Sequence, residues 1–473
     1  MRMCVTVYKQ CCAQRCADWM QRQGKVRTMR SLGNRAFGNR LVGGMAAACA
    51  MAMALAGCGS GNAGGSGGEA KAADGPVTLT ISWWGSDARL KLTQQAIDAF
   101  HVKHPNITVN FEYTDWNGYW DKLATQNAGG EVPDVLQMDE MYLASYASQG
   151  SLYDLNKVSD YLDLNQMDAS LKGTGQYQGT QYAAPISAVP YAMIVNNDVL
   201  DKLGLELPDT NTWTWDDFVA FGRQIVNRSN GEITAAGNMI DSTGLTQWAR
   251  QHGEDLFKDG KVAISEKTLA GFFQMSYDWT HGDQIGGSAD RGAEQAAGTQ
   301  DQSDFARNKQ AMVFAQATMI TSNAKAAGTD NMSLVPIPSA DQSKKSAYLK
   351  PGQYWSISAK SEHPVEAAML IDYLINDEEA GKILGTERGI PGNNKIRAML
   401  AESTTGTDKK ALEFQDVIAD KLGDAPEITP NGASDVMNMI KRYGQQVAFE
   451  QKTADQVAKE MIAELQSNID SAA

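Results

Sequence analysis

Aromatic and acidic side chains follow one another at the ends of predicted strands. Trp83 and Trp84 end the first strand, and Asp115 and Trp116 follow the second. In open α/β sheets, ligands bind beyond the carboxyl ends of the strands. An indole face can cover the C–H patches of a sugar ring, and a carboxylate is a strong acceptor for hydroxyl groups. These residues therefore have the chemistry of a site for a polyhydroxylated ligand.

Four more side chains at this predicted edge are candidates for ligand contact. Asp87 and Arg89 begin the helix after the first strand, and Asp139 and Glu140 follow the third strand. For these residues, structural roles stay open as alternatives to ligand contact. Asp87 and Arg89 could be a helix cap and a surface charge, and Trp83 shares the apolar parity of its strand, which indicates core packing. Trp84 has the opposite parity, which favours the ligand side.

Motifs for catalysis or metal binding do not occur in a credible context. His101 and His104 are three residues apart at a helix end, but no third ligand is visible. Glycine-rich matches at 59–64 and 64–68 lack the strand and the helix that such motifs require. The sequence predicts no metal site, no cofactor and no catalytic residue.

Charge and cysteine are distributed unevenly along the 473 residues. The chain has 42 basic and 56 acidic side chains, and nine of the basic ones but only one acid precede residue 58. Residues 58–473 thus carry 33 basic and 55 acidic side chains, a net charge of −22, which argues against nucleic acid as a partner. Five of the six cysteines also precede Cys58, so the rest of the chain can form no internal disulfide.

The segment 41–56 is uncharged and follows three arginines, which is typical of a secretory signal peptide. Its 16 residues are fewer than the roughly 20 that a membrane-spanning helix needs. Leu55-Ala56-Gly57-Cys58 resembles a bacterial lipobox, which predicts lipidation of Cys58 and a protein anchored at the extracellular face of the cytoplasmic membrane. We therefore interpret 1–57 as a signal peptide, with Met29 as a possible true start, and 58–75 as a flexible tether.

The elements that must position these residues alternate between strands and helices. Alternating apolar residues predict strands at 77–82, 107–111 and 133–138, and helical spacing predicts helices at 89–104 and 119–127. Further segments indicate a strand at 189–195, helices at 215–226 and 365–375, and a capping box at Thr453 and Gln456. The strand–helix–strand–helix–strand order of 77–138 predicts parallel strands with crossover helices and an α/β fold.

Five segments resemble the extracellular solute-binding proteins of sugar ABC transporters, the class that includes maltose-binding protein. In chain order they are ISWWGSDAR with FHVKHPNITVNFEY (81–89 and 100–113), VPDVLQMD (132–139), YAAPISAVPYAMIVNNDVLDKLGLELPDTNTWTWDDF (182–218), FARNKQAMVFAQA (305–317) and LKPGQYWSISAKSEHPVEAAMLIDYL (349–374). Asn308 departs from the pattern, because glycine is usual there. The resemblance covers 76–473.

This resemblance implies a two-lobed, type II periplasmic-binding-protein fold with the ligand cleft between the lobes. Lobe 1 would comprise 76–184 plus 355–390, and lobe 2 would comprise 188–350 plus 391–473. The chain would cross between the lobes near 185–188, 350–354 and 389–393, where proline and glycine suit a hinge.

The later parts of the chain, taken together with this resemblance, add further candidate contacts. These candidates are Ser187, Tyr191, Trp248, Gln316, Gln353, Tyr354, Trp355 and Arg388. Trp355 is the one we favour most. Core packing is an equal alternative for Trp248, and an inter-lobe salt bridge is an equal alternative for Arg388.

The function implied is a lipid-anchored, monomeric receptor that captures a sugar and delivers it to an ABC transporter permease, without catalysis. The number of tryptophans favours an oligosaccharide. Two alternatives stay open: a secreted glycoside hydrolase with two carboxylates, and the same receptor fold with a non-sugar ligand such as a polyol phosphate.

Overall fold

The computed structural model describes residues 71–239, 241–297 and 299–472. The predicted signal peptide, Cys58 and most of the predicted tether lie outside the described residues. Among the residues described, no helix has the length and apolar character needed to cross a bilayer.

Fourteen strands are assigned within the described ranges. They are β1 (Val77–Trp84), β2 (Ile107–Thr114), β3 (Val135–Met138), β4 (Gln176–Tyr177), β5 (Thr180–Gln181), β6 (Ala184–Pro185), β7 (Ser187–Ala188), β8 (Tyr191–Asn196), β9 (Phe257–Lys258), β10 (Lys261–Val262), β11 (Met312–Gln316), β12 (Met332–Val335), β13 (Tyr354–Ile357) and β14 (Ile390–Pro391).

Sixteen α-helices are assigned within the same ranges. They are α1 (Asp87–Lys103), α2 (Trp116–Gly129), α3 (Glu140–Ser148), α4 (Ala169–Gly173), α5 (Asn197–Leu203), α6 (Trp215–Arg228), α7 (Ser242–Gln251), α8 (Glu266–His281), α9 (Ala289–Ala297), α10 (Ile320–Ala327), α11 (Pro364–Asn376), α12 (Glu378–Leu384), α13 (Asn394–Ser403), α14 (Gly406–Val417), α15 (Val436–Ala448) and α16 (Ala454–Ala472). Each helix and strand predicted from periodicity is present, with shifts of a few residues at its ends. The capping box is confirmed, because the Thr453 N–H donates to Gln456 Oε1 (3.0 Å) and the Gln456 N–H donates to Thr453 Oγ1 (3.2 Å).

Two main sheets carry the architecture. The first has the order β2-β1-β3-β13-β6, and the second has the order β11-β8-β12. The predicted parallel pairing is confirmed for β1 with β2 and with β3. The sequence made no prediction for the other pairs: β13 pairs with β3 in the antiparallel direction, and the second sheet is antiparallel throughout. A strand that comes from a distant part of the chain need not enter a sheet through a crossover helix.

Each main sheet has its own apolar core. The buried residues around the first sheet come from 77–184 and 355–380, and the largest core around the second comes from 191–337 and 433–469. The central strands β3, β8 and β13 are buried along their whole length, and helices cover them with their apolar faces. The lobe boundaries given above stay a prediction.

The three segments predicted to cross between the lobes run side by side. The Ile186 N–H donates to the Gln353 carbonyl oxygen (2.8 Å), and the Gly392 N–H donates to the carbonyl oxygen of Ile186 (3.0 Å). β7 pairs with β14, and the Gly352 N–H donates to the Ser187 carbonyl oxygen (3.0 Å). These backbone bonds connect the three segments to one another.

Candidate functional site

Aromatic rings gather where β1 ends. Trp84, the last residue of β1, meets Trp116 edge to face, with the ring centroids 5.0 Å apart and the planes at 87°. Trp120, one turn further along α2, stacks on Tyr142 of α3 at 3.9 Å. Trp84 and Trp120 are buried, whereas Trp116 and Tyr142 are half-buried. The cluster therefore presents parts of two aromatic side chains at its surface.

Helix caps place the predicted acids beside this cluster. Asp115 caps α2 by accepting the Gly118 N–H (3.1 Å), and Asp139 caps α3 by accepting the Met141 N–H (3.0 Å). A short acidic side chain before the first helical residue is a favourable cap. Both carboxylates are thus held at the carboxyl ends of strands, as the sequence pattern predicts.

A half-buried ion pair lies next to Asp139. Glu140, the first residue of α3, accepts a hydrogen bond from the Nζ atom of Lys350, which belongs to the second crossing segment. Burial and the nearby charge of Glu140 raise the pKa of Asp139 to about 6. Burial lowers the pKa of Lys350, but the Glu140 carboxylate more than offsets this, and the pKa is raised overall. The ion pair therefore links α3 of the first sheet to the crossing segment.

A cavity of about 680 Å³ lies on the side of the second sheet, and Lys350 forms part of its wall. Its volume is within the range of roughly 300–1,000 Å³ that small-molecule sites have. Two of the predicted contacts, Tyr191 and Gln316, line it. The Tyr191 hydroxyl donates to Asp241, which also lines the cavity and caps α7.

Most of the polar groups in this wall are uncharged. Amides and hydroxyls contributed by β11, α7, α8 and α15 alternate with small residues. The buried Oδ1 of Asn238 and the buried Oγ of Ser276 have no hydrogen-bond partner among the residues described here. Amides and hydroxyls that can both donate and accept are suited to a ligand with many hydroxyl groups.

Three exposed apolar side chains also line the cavity, and the sequence pattern did not indicate them. Met319 is 38% exposed, Met437 is 39% exposed and Phe449 is 40% exposed. Met437 lies on α15, an amphipathic helix, and the two others lie next to helix ends. In the sequence such residues look like the apolar face of a helix, so only their exposure in the folded chain marks them.

A second, smaller cavity of about 50 Å³ lies between residues that pack around the first sheet and residues that pack around the second. Glu140, Thr174 and Tyr354 line it from the first sheet, and Ser242 and Tyr348 line it from the second. Burial raises the pKa of Tyr348 and of Tyr354, so both side chains are neutral hydroxyls that can donate a hydrogen bond. The Tyr354 hydroxyl donates to the Thr174 carbonyl oxygen (2.9 Å).

Four predicted contacts lie inside cores. Trp83 is 0% exposed, Tyr354 is 0% exposed and Trp355 is 2% exposed, all around the first sheet. Trp248 is 8% exposed, and its Nε1–H donates to the Thr268 carbonyl oxygen (2.8 Å). Trp83 and Trp355 pack in the core of the first sheet, Tyr354 packs in the neighbouring aromatic cluster, and Trp248 packs in the core of the second sheet. We therefore do not include Trp83, Trp248 or Trp355 among the contacts that we propose.

The two predicted arginines are engaged in protein contacts. The Arg89 guanidinium pairs with Glu387 (2.8 Å) and donates to the Trp84 carbonyl oxygen (2.9 Å). Arg388 is buried, donates to Thr93 Oγ1 (2.8 Å) and lies over the Trp355 ring. Burial and the charge of Arg89 lower the pKa of Arg388 to about 9. The positions of both arginines are explained by packing.

The remaining predicted residues lie at the rim or at the crossings. Asp87 accepts a hydrogen bond from the Tyr113 hydroxyl (3.3 Å) at an exposed position. The Ser187 hydroxyl is buried and donates to the Arg388 carbonyl oxygen. Gln353 is half-buried, and within the described ranges its buried Oε1 has no partner. For the described residues, no group of three or more His, Cys, Asp or Glu side chains could hold a metal ion.

Comparison with known proteins identifies the family. The model of the bacterial extracellular solute-binding proteins matches residues 85–381. The chain belongs to this family. Like other solute-binding proteins with solved structures, it has the two-lobed type II fold, with a ligand cleft between two α/β lobes.

Several known proteins are similar to this solute-binding protein. A periplasmic oligogalacturonide binding protein from Yersinia enterocolitica is 25% identical, with a TM-score of 0.71, and the match covers 84% of this chain and 99% of that one. The melibiose/raffinose/stachyose-binding protein of Bacillus subtilis is 27% identical over 205 residues, which are 42% of this chain and 45% of the relative. An uncharacterized lipoprotein of Streptomyces antibioticus is 27% identical over 162 residues, 34% of this chain and 35% of the relative. The chain spans about half the length of the curated relatives that it matches.

Proposed function

We propose that this solute-binding protein captures a sugar, in the form of an oligosaccharide, in the cleft between its lobes, with the 680 Å³ cavity as the lobe 2 part of the site, and delivers it to an ABC transporter permease. The observation that carries the proposal is the wall of this cavity, where uncharged amides and hydroxyls surround exposed apolar side chains. A sugar has the matching chemistry, because hydroxyl groups ring an apolar C–H surface. The sugar names of its relatives support the same ligand class.

The two sides of the cleft would supply different parts of the contact. From lobe 1 we propose stacking on Trp116 and Tyr142 and hydrogen bonds to Asp139, with Asp87, Asp115 and Glu140 at the rim. From lobe 2 we propose Tyr191 and Gln316, and from the crossing segments Gln353. The four buried rings and the two arginines would act only by holding these groups in place.

The mechanism that we propose is closure of the lobes around the ligand. Lobe 1 would comprise 76–184 plus 355–390, and lobe 2 would comprise 188–350 plus 391–473. A ligand that touches both lobes binds the closed state more tightly, and that difference in affinity shifts the equilibrium toward closure. The permease would then recognise the closed surface of a monomer. No bond of the ligand is broken in this mechanism, and no cofactor takes part.

The lipid anchor is part of the proposal. The lipobox-like sequence before Cys58 and the lipoprotein among the relatives support an acylated protein at the extracellular membrane face. More than one acyl chain is needed for stable attachment. Expression in a bacterium fed with labelled palmitate should label the wild type and not Cys58→Ser. Equal labelling of the two would contradict the anchor.

Titration calorimetry tests the ligand class. We expect heat of binding with at least one of raffinose, stachyose and an oligogalacturonide, and a weaker signal for the Trp116→Ala and Gln316→Ala variants. Phe111→Ala is the matched control, since Phe111 is an aromatic residue 36% exposed on β2 and is not among the contacts that we propose. No heat with any mono- to oligosaccharide would refute the sugar proposal. Heat with a polyol phosphate alone would favour the non-sugar receptor, and new reducing ends after incubation would favour a hydrolase.

A further inference from the structure

Two methionines differ from all the others in the part of the chain that the structure describes. Met319 and Met437 are the exposed ones, at 38% and 39%, whereas the remaining described methionines are buried or half-buried. Both line the 680 Å³ cavity. They come from elements far apart in sequence, the turn before α10 and the first turn of α15. Their common location therefore results from the fold and not from one local stretch of sequence.

Neighbouring methionines show that this exposure is specific. Met439 is two residues from Met437 in α15 and is 0% exposed, and Met312, at the start of β11, is also 0% exposed. Met239 packs in the same core and is 0% exposed. A partly exposed methionine can be reached by solutes that enter the cavity, whereas a methionine inside a core is shielded from them.

We propose that Met319 and Met437 are a peroxide-sensitive modification site in the ligand cavity. The sulfur attacks one oxygen of hydrogen peroxide, a sulfur–oxygen bond forms, and the oxygen–oxygen bond breaks. Each methionine loses two electrons and becomes a sulfoxide, while the peroxide is reduced and leaves as water after proton transfer. The protein supplies access to the sulfur, and the peroxide supplies the oxygen atom.

Oxidation would change the cavity wall. A sulfoxide is polar where the thioether is apolar, so the wall loses the apolar surface that could lie against the C–H face of a ligand. Phe449, which lines the same cavity and is 40% exposed, would be left as the main exposed apolar group on this side. Ligand affinity should fall with oxidation. The expected loss of affinity rests on the proposed function, whereas the site of oxidation does not.

Peptide mapping by mass spectrometry tests the site. The intact protein is treated with hydrogen peroxide for increasing times, and each methionine peptide is measured with and without one added oxygen atom. We expect Met319 and Met437 to react about tenfold faster than half-buried methionines such as Met141 and Met369, because susceptibility follows exposure. Equal rates, or an earlier reaction at Met141 or Met369, would overturn the proposal.

Binding before and after oxidation tests the consequence. The probe is raffinose, or whichever saccharide of the calorimetric set gives heat. We expect treated wild type to bind about fivefold more weakly, and treated Met319→Leu/Met437→Leu to keep the affinity that it has untreated. Met141→Leu/Met369→Leu is the control and should lose affinity like the wild type. Equal loss in all three proteins would overturn the effect on binding. If no sugar binds the untreated wild type, the proposed function fails, and peptide mapping alone decides the oxidation site.

Discussion

Asp139 caps a helix favourably but carries an unfavourable charge, so removing the charge while keeping the cap should raise the free energy of unfolding. Its carboxylate caps α3 through the Met141 N–H, but it is partly buried beside the negative charge of Glu140. Asparagine caps a helix about as well as aspartate and carries no charge. Asp139→Asn should therefore keep the cap and remove the charge repulsion.

The pKa of Asp139 sets the size of the effect. It is raised from 3.8 to about 6, and at about 1.4 kcal/mol per pKa unit this is an upper bound of about 3 kcal/mol. Partial exposure of the carboxylate and its attraction to Lys350 reduce the expected gain to about 1–2 kcal/mol. Between pH 3.8 and 6 the folded state holds a proton that the unfolded state has lost, so wild-type stability falls as the pH rises through this window. The variant should thus be more stable above pH 6 and equal to the wild type below about pH 4.

Urea unfolding followed by tryptophan fluorescence, at several pH values between 4 and 8, measures this difference. Asp115→Asn is the matched control, because it makes the same substitution at the exposed cap of α2, and we expect less than about 0.5 kcal/mol of change there. A variant Asp139→Asn that is less stable than the wild type at pH 8, or a gain that does not vary with pH, would refute the reasoning.

Two further predictions concern packing. Trp355→Ala should lower the free energy of unfolding by about 3–5 kcal/mol, because the ring is 2% exposed in the first core. Trp116→Ala should lower it by only about 1–2 kcal/mol. Thermal unfolding measures both losses, and equal losses would mean that Trp355 is not a core residue. Gly352→Ala should destabilise the crossing segments by about 1–3 kcal/mol, because an added methyl group would collide with the Ser187 hydroxyl and lie 3.2 Å from the Arg388 carbonyl oxygen. Gly129→Ala, with nothing within 4 Å of the added methyl group, is the control, and urea unfolding should show it unchanged or up to about 1 kcal/mol more stable.

Local patterns predicted the elements well because they depend on nearby residues. The alternation in β1 and the capping box at Thr453 result from side chains within one turn or one strand, and both are present in the structure. Sheet pairing was predicted only in part. β13 joins β3 from more than 200 residues away and runs antiparallel, and no local periodicity records such a partner.

The residues of the candidate site likewise fall into those that local sequence predicts and those that it does not. The acids at Asp115 and Asp139 could be found from sequence, because helix capping places them at strand ends. Trp355 lies in a motif of the family, but its side of β13 faces the core, and only the packing of the first sheet decides that. Met319 and Met437 could not be found, because an apolar residue on a helix is the usual sign of burial.

The sequence by itself determined the two-lobed α/β class, the family, and the uneven charge that separates residues 1–57 from the rest. The uneven charge comes from composition and the α/β class from periodicity, whereas the family and its two lobes are what the resemblance of five motifs implies; all of these are carried by residues close together in the chain. Only the tertiary structure decided which aromatic rings are buried, that Lys350 meets Glu140, and that two distant methionines share one cavity. Each of these depends on contacts between segments that are far apart in sequence, and burial in a folded protein is a property of such contacts.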